Sequence, residues 1–196
     1  EGKYYQKSLY KAALISYNYT QNFEKALKYY KHSETIATDV GELFESQFGA
    51  LKSAFKLSKE DDIITYGEKV VKNDAASKEE KSSAFYYLGK TYFKQNKLTQ
   101  ALVDFEKVDE LSNNNQAAES RYMISEIYFK QNNLARAEAQ CQHTNERSSN
   151  YPYWIAKSLL LMSDVFIAKN DLLNARAAIE AVIENYKDDV GISKLA

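Results

Sequence analysis

Tyr17 precedes Ala26 by nine residues, and the same interval separates Tyr92 from Ala101, Tyr128 from Ala137 and Phe166 from Ala175. With Ile64, nine residues after Phe55, as a degenerate anchor in the gap, successive anchors stand 38, 37, 36 and 38 residues apart. Periods of about 20 to 50 residues are the mark of a solenoid, whose repeated unit cannot bury its apolar face alone and must stack on its neighbours. Five units fill the chain, which therefore reads as one elongated domain.

The composition agrees with an all-helical reading. One proline and six glycines in 196 residues leave few helix breakers, while 44% hydrophobic and 27% charged residues suit amphipathic helices. No run approaches the roughly 18 apolar residues of a membrane span, so direct membrane insertion is not expected. The N-terminus EGKYYQKSLYK has neither an apolar core nor a small-residue cleavage site. It does not begin with Met, and the chain is expected to be part of something longer. Net charge is -1, with both signs interspersed. Nucleic acid binding through counterion release needs clustered Lys and Arg, whereas Lys25, Lys28 and Lys31 read as the solvated face of a helix. Cys141 is alone and can form no internal disulfide.

Within the third unit Phe85, Leu88, Gly89 and Tyr92 stand at i, i+3, i+4 and i+7, one stripe of a helix. After Gln95-Asn96-Lys97 the helical pattern resumes with Leu98, Ala101, Leu102, Phe105 and Val108, so a second helix packs back on the first. Gly89 and Ala101 are small because close helix crossings admit only small side chains, and Tyr92 and Phe105 fill the wider space beside them.

These residues resemble the tetratricopeptide repeat, with an aromatic, Leu-Gly and Tyr in the first helix and Ala followed four residues later by Phe in the second. The third unit matches nearly throughout. The fourth keeps Ile124-Ser125, Tyr128, Ala137 and Cys141 but has Arg121 in the aromatic place; the fifth keeps Met162-Ser163, Phe166, Ala175 and Ile179; the first keeps Tyr10, Tyr17, Ala26 and Tyr30, with Leu14 in the glycine place. The second is weakest, with Lys52 in the glycine place and Ile64 in the alanine place, and its register is open by one or two residues. The resemblance covers about nine-tenths of the chain and implies an all-α, tetratricopeptide-type superhelix of about five helix hairpins. The segment from Tyr151-Pro152-Tyr153-Trp154 to Ile183-Glu184-Asn185-Tyr186 resembles the last full repeat of large bacterial tetratricopeptide proteins, which implies a cell-envelope association.

Asn96, Asn132 and Asn170 each sit five residues before an anchor alanine, and asparagine is second only to glycine in tolerating a left-handed backbone. They are read as helix-ending residues. Ser77 with Glu80 forms a capping box, and Ser149 or Asn150 before Pro152, and Asp171, are further N-cap candidates. The expected helix pairs are 4–19 and 23–36, 41–57 and 61–73, 78–94 and 98–111, 116–130 and 134–147, and 152–168 and 172–186. They lie in units spanning 3–38, 39–76, 77–114, 115–150 and 151–187. The segment 188–196 is expected to begin one further helix with Val190, Ile192 and Leu195 facing inward.

The motifs of enzyme chemistry are absent from the sequence: no Gly-rich phosphate loop, HExxH, GxSxG or CxxC occurs. His32 and His143 have no ligand partners at chelating spacing, and Cys141 lies two residues from His143 on a different helix face. Asp61-Asp62 and Asp188-Asp189 read as helix starts, where negative charge suits the dipole. No cofactor, metal or catalytic residue is therefore expected.

In the family the first helix of each unit lines a concave surface. The resemblance assigns Tyr86, Lys90, Phe93 and Lys94 of the third unit and Tyr122, Glu126, Phe129 and Lys130 of the fourth to that groove, where large amphipathic side chains among charges suit recognition of a protein or peptide. The alternative for these aromatics is packing against the neighbouring unit. The Lys/Asn/Lys/Arg constellation with which some members grip a C-terminal carboxylate is missing, because Ile15, Ala50, Ser83 and Tyr87 occupy most of its places. A non-enzymatic scaffold is thus the expected function. A structural spacer or oligomerisation segment of a longer repeat protein is the alternative, with self-association through an apolar N-terminal end carrying Tyr4, Tyr5, Leu9 and Tyr10.

Overall fold

The computed structural model describes residues 2–186 and 191–192, which form ten α-helices: α1 (Gly2–Asn18), α2 (Phe23–Thr35), α3 (Val40–Lys56), α4 (Glu60–Lys72), α5 (Lys78–Lys94), α6 (Leu98–Leu111), α7 (Asn115–Lys130), α8 (Leu134–Arg147), α9 (Pro152–Ala168) and α10 (Leu172–Tyr186). The fold is all-α and built from helix hairpins of the expected lengths. Contacts divide it into two compact bodies, Glu1–Ala101 and Leu102–Ala196. In the first, each helix packs on the next from α1 to α5; in the second, α7, α8, α9 and α10 do the same, and α7 also touches α9.

One backbone device sets the repeat. Five non-glycine residues have positive φ, namely Gln21, Ser58, Asn96, Asn132 and Asn170, at intervals of 37, 38, 36 and 38 residues. Each ends the turn between the two helices of a hairpin. In four of them the next N–H returns to a carbonyl five residues back: Lys59 to Ala54, Lys97 to Tyr92, Asn133 to Tyr128 and Asp171 to Phe166, at 2.8–3.0 Å. The left-handed residue lets the chain reverse while satisfying carbonyls that the helix end leaves bare. The first turn is looser, with Asn22 N–H reaching the Ser16 carbonyl at 2.8 Å. The three asparagines are helix enders as their spacing implied, and Gln21 and Ser58 do the same work without the preferred side chain.

Counting from these residues corrects the register of the second hairpin. The anchor five residues after the left-handed position is Ala26, Ala101, Ala137 or Ala175 elsewhere, and in the second hairpin it is Ile63, one residue before the expected Ile64. Ile63 is 2% exposed and Ile64 only half-buried. The glycine place, seven before, holds Leu51 rather than Lys52. The aromatic place, four before, holds Ala54, and the phenylalanine place, nine after, holds Gly67. All four are buried. Large residues stand where small ones are usual and small where large, so the second hairpin fills its core with the sizes exchanged. That exchange hides its register in the sequence.

Glycines absorb the packing around this hairpin. A Cβ on Gly49 of α3 would lie 2.3 Å from the Tyr30 ring of α2, and one on Gly67 of α4 would lie 2.7 Å from the Leu88 side chain of α5. Ser77 forms the expected capping box with Glu80, and Asp171 accepts from Asn174 N–H at 3.2 Å. The α9 cap is Tyr151, with Pro152 at the first helical position, rather than Ser149 or Asn150. The expected helix at 188–196, with Val190, Leu195 and Asp188-Asp189, lies outside the described residues apart from Gly191 and Ile192, the latter buried beside Ala156 and Val182.

Candidate functional site

The corrected register gives three first helices the same outward stripe. Phe48, Lys52 and Phe55 on α3 stand at i, i+4 and i+7, as do Tyr86, Lys90 and Phe93 on α5 and Tyr122, Glu126 and Phe129 on α7. An aromatic, a charge and an aromatic recur in each. Lys52, expected in a core position, instead belongs to this stripe.

In the first body the stripe is basic. Lys52 is half-buried, its Nζ 4.6 Å from the Phe48 ring centre and 5.7 Å from that of Tyr17 on α1. Phe55 stacks on Tyr87 at 4.1 Å, and Tyr86 meets Phe55 at 6.3 Å and Tyr87 at 5.8 Å. Burial lowers the pKa of the Lys52 ammonium, partly offset by the field of Glu80. One turn beyond, the exposed Lys56 lies 6.0 Å from the Phe23 ring. Lys94 of α5 is held by Glu60 of α4 at 2.7 Å, and Gln95 donates to the same carboxylate at 2.9 Å.

In the second body, Tyr122 is packed under Trp154 of α9 (centroids 5.7 Å apart), and Trp154 meets Tyr153 edge-on at 5.0 Å. Lys157 caps this cluster, with Nζ 4.5 Å from Tyr122, 5.5 Å from Trp154 and 6.0 Å from Tyr153. Glu126 pairs with Lys130 at 3.7 Å. Burial, and then the nearby Glu126 carboxylate, push the Tyr122 phenol pKa upward.

The residues expected in the groove thus differ in accessibility. Tyr86 and Tyr122 are only 9% and 8% exposed, so their rings pack within their own body instead of offering open surface. Lys90, Phe93, Glu126 and Phe129 are half-buried, and Lys94 and Lys130 are exposed. The sequence reading misses Phe48, Lys52 and Phe55, whose signal is the same aromatic–charge–aromatic spacing one repeat earlier, and it misses Trp154 and Lys157, which only the packing of α9 on α7 brings to Tyr122. At the N-terminal end Tyr4 is 82% and Tyr5 53% exposed, while Leu9 is buried and so cannot belong to an exposed patch there.

Two polar clusters lie deeper, at matching places. Glu34 on α2 and Asp109 on α6 each stand eight residues after an anchor alanine. Glu34 accepts from Gln47 of α3 (3.0 Å), and from Lys69 (2.7 Å) and Tyr66 (3.0 Å) of α4. Burial raises its pKa, but these hydrogen bonds outweigh burial and hold it below the usual carboxylate value. Asp109 accepts from Arg121 Nε of α7 (2.5 Å) and contacts His143 Nε2 of α8 (2.8 Å). The fully buried Arg121 also donates to the Arg147 carbonyl, Ser148 Oγ and Asn113 Oδ1. His143 therefore has a partner, and Arg121 is a buried ion rather than a lost aromatic.

Cys141 is buried, and burial raises its thiol pKa. Among the described residues no group of three His, Cys, Asp or Glu side chains is placed to hold a metal ion, and no helix is long and apolar enough to cross a membrane.

Residues 83–111 match the tetratricopeptide repeat family model. The chain is similar in structure to MamA 41-end from Desulfovibrio magneticus RS-1, at 18% identity over 94% of this chain and 97% of that one, with a TM-score of 0.74. It is also similar to YrrB, described as a tetratricopeptide protein with an unusual peptide-binding site, at 18% identity over 92% of this chain and 85% of that one (TM-score 0.70). A third relative in structure is TTC0263, a thermophilic tetratricopeptide protein of Thermus thermophilus, at 13% identity over 96% and 95% of the two chains (TM-score 0.54). No curated protein matches the sequence.

Proposed function

We propose that this chain, which has the fold of tetratricopeptide proteins and matches their repeat over residues 83–111, is a non-enzymatic scaffold whose first-helix stripes bind a peptide or protein segment. The observation that carries the reading is the recurrence of one pattern, aromatic, charge, aromatic, at Phe48/Lys52/Phe55, Tyr86/Lys90/Phe93 and Tyr122/Glu126/Phe129. A helix stripe that serves packing alone has no need of a charge at its middle position, whereas recognition surfaces combine aromatic anchors with charges that set specificity. YrrB, of the same fold, is described as having a peptide-binding site. Within this stripe Tyr86 and Tyr122 serve as buried supports, and Lys90, Phe93, Lys94, Glu126, Phe129 and Lys130 are the groups that meet the ligand.

A photoreactive phenylalanine analogue placed at Phe93 or Phe129 tests the proposal against the same analogue at Val103 or Leu173, which are exposed on second helices. Cross-linking in the native host to one defined protein from Phe93 and Phe129 alone supports it. Equal cross-linking from all four positions removes it.

The reading as a spacer or oligomerisation segment is favoured by one observation, the exposure of Tyr4, Tyr5 and Tyr19 on the first hairpin. Its test is light scattering with rising concentration: self-association that weakens when Tyr4 and Tyr5 become Lys supports it, and a strict monomer removes it.

A further inference from the structure

We propose that the α3 face centred on Lys52 is an acid-reading subsite, which takes an Asp or Glu side chain of a bound protein segment between Phe48 and Tyr17. This deepens the scaffold reading and rests on it.

Lys52, like Lys157 in the second body, is half-buried against aromatic rings, and its surroundings differ from those of the lysines held in ion pairs. Lys31, Lys69, Lys72, Lys94, Lys107, Lys130 and Lys169 each form an ion pair. Among the described residues no carboxylate reaches the Lys52 ammonium, although that ammonium is half-buried. The carboxylate whose field it feels, Glu80, is engaged elsewhere, closing the capping box by accepting from Ser77 N–H at 2.9 Å. Glu45, three residues before Phe48, lies beside the Tyr10 hydroxyl and, after burial, helps push that phenol up to about 12. The aromatic rings of Phe48 and Tyr17 offer Lys52 a cation–π environment, which replaces only part of the hydration it gives up.

A lysine so placed is unfavourable in the free protein and becomes favourable when an anion completes its coordination. A carboxylate arriving from outside gains a charge-assisted hydrogen bond in surroundings already short of water. Lys56, one turn further along and exposed, adds positive charge at the edge of the same face. Phe48 and Phe55 flank the ammonium at i-4 and i+3, so an apolar side chain next to the acidic one has a ring to lie on. The ligand class is therefore an extended or helical protein segment that alternates acidic and aliphatic residues. Glu126 takes the corresponding place on α7, paired with Lys130, so the acid preference does not extend to the α7 stripe.

Two synthetic peptides decide the matter: acetyl-Glu-Leu-Glu-Leu-Glu-amide and its counterpart with Gln in place of Glu. Titration of each into the full chain, followed by nuclear magnetic resonance of the lysine ε-methylene groups, is expected to show the Glu peptide binding about tenfold more tightly, one charge-assisted hydrogen bond, and shifting the Lys52 signal. Lys52→Met is expected to abolish that preference while raising the urea midpoint, because it removes an unfavourable buried charge; Lys52→Arg keeps the preference. Equal binding of the two peptides overturns the acid-reading subsite while leaving the scaffold reading intact. Retention of the preference in Lys52→Met overturns it as well. Failure of both peptides to bind also overturns it, and the cross-linking at Phe93 and Phe129 then judges the scaffold reading separately.

Discussion

In the fourth hairpin, α7–α8, Ser125 and Ala137 are the small residues at the crossing and Tyr128 lies beside them; in the second, α3–α4, the same places hold Leu51, Ile63 and Ala54. Both hairpins turn through a left-handed residue, Asn132 in one and Ser58 in the other, at φ 55° in each. The shared backbone with exchanged contents teaches that the repeat is specified by the turn and by total core volume rather than by any one signature residue. Cores tolerate such exchange when volume and patterning are kept. The polar clusters make the same point in charge. Glu34, Gln47 and Lys69 occupy the places of Asp109, Arg121 and His143, so one region holds a half-buried carboxylate between an amide and an ammonium and the other between a guanidinium and an imidazole.

The largest expected effect strikes both regions together. The phenols of Tyr66 in one, of Tyr30 packed against it from α2, and of Tyr122 in the other are pushed upward mainly by burial, and that of Tyr10 rises to about 12. Each binds its proton more tightly in the folded chain than in the unfolded one. The stability they contribute is therefore intact below the ordinary tyrosine value of 10.0 and is lost as pH rises from there toward 12 and beyond. Urea midpoints should fall steeply above pH 10, with phenolate absorbance appearing together with loss of helix. Ionisation of Tyr30, Tyr66 and Tyr122 in a chain that stays helical would contradict this.

The buried ions should then separate the two hairpins. Arg121→Ala removes a fully buried guanidinium with its ion pair to Asp109 and its bonds to the Arg147 carbonyl and Ser148 Oγ, leaving Asp109 with His143 alone, and is expected to cost about 3–5 kcal/mol in urea unfolding. Gln47→Ala removes one hydrogen bond to a carboxylate that keeps Lys69 and Tyr66, and should cost about 1–2 kcal/mol. An Asp109→Leu, Arg121→Met double variant should recover most of the loss, because apolar residues of similar volume replace a buried pair at little cost. Similar losses from Arg121→Ala and Gln47→Ala would erase the distinction.

Next in size is the packing of the second hairpin. Gly49→Ala places a Cβ 2.3 Å from the Tyr30 ring, and overpacking of this kind costs about 1–3 kcal/mol. Tyr30→Leu should lower the cost of Gly49→Ala, which a double-mutant cycle measures as coupling. Additive losses would mean that the two do not touch. The smallest effect concerns the turns. Ser58→Gly relieves a left-handed conformation that serine tolerates poorly and should stabilise by about 1 kcal/mol, while Asn132→Gly in the fourth hairpin should gain less. Equal gains would show that the asparagine confers no advantage there.

Much of this architecture is legible in the sequence for a physical reason. Helix ends and turns are local, so Asn96, Asn132 and Asn170, the Ser77–Glu80 capping box and the anchor alanines announce themselves by spacing. The second hairpin lacks a turn asparagine and carries inverted sizes, and nothing local fixes its register. The family spacing consequently puts Lys52 in the core, although Phe48 and Phe55 around it repeat the spacing of Tyr86 and Phe93. The burial of Tyr86 and Tyr122 is not legible either, since their accessibility depends on rings contributed by neighbouring helices, such as Trp154. Arg121 is visible as an anomaly in an aromatic place. Its partner Asp109 lies 12 residues away on α6, and the second partner of Asp109, His143, lies on α8; only the offsets these two share with Glu34 and Lys69 relative to the anchors could have suggested them.

The central claim, that the second hairpin keeps the common backbone frame with exchanged contents, is tested most directly by comparing Ile63→Ala with Ile64→Ala in urea unfolding. Ile63 is the buried anchor and should cost about 2–4 kcal/mol when truncated, whereas the half-buried Ile64 should cost less than about 1 kcal/mol. Equal losses, or a larger loss at Ile64, would put the hairpin back in the other register, return Lys52 to the core and contradict the account.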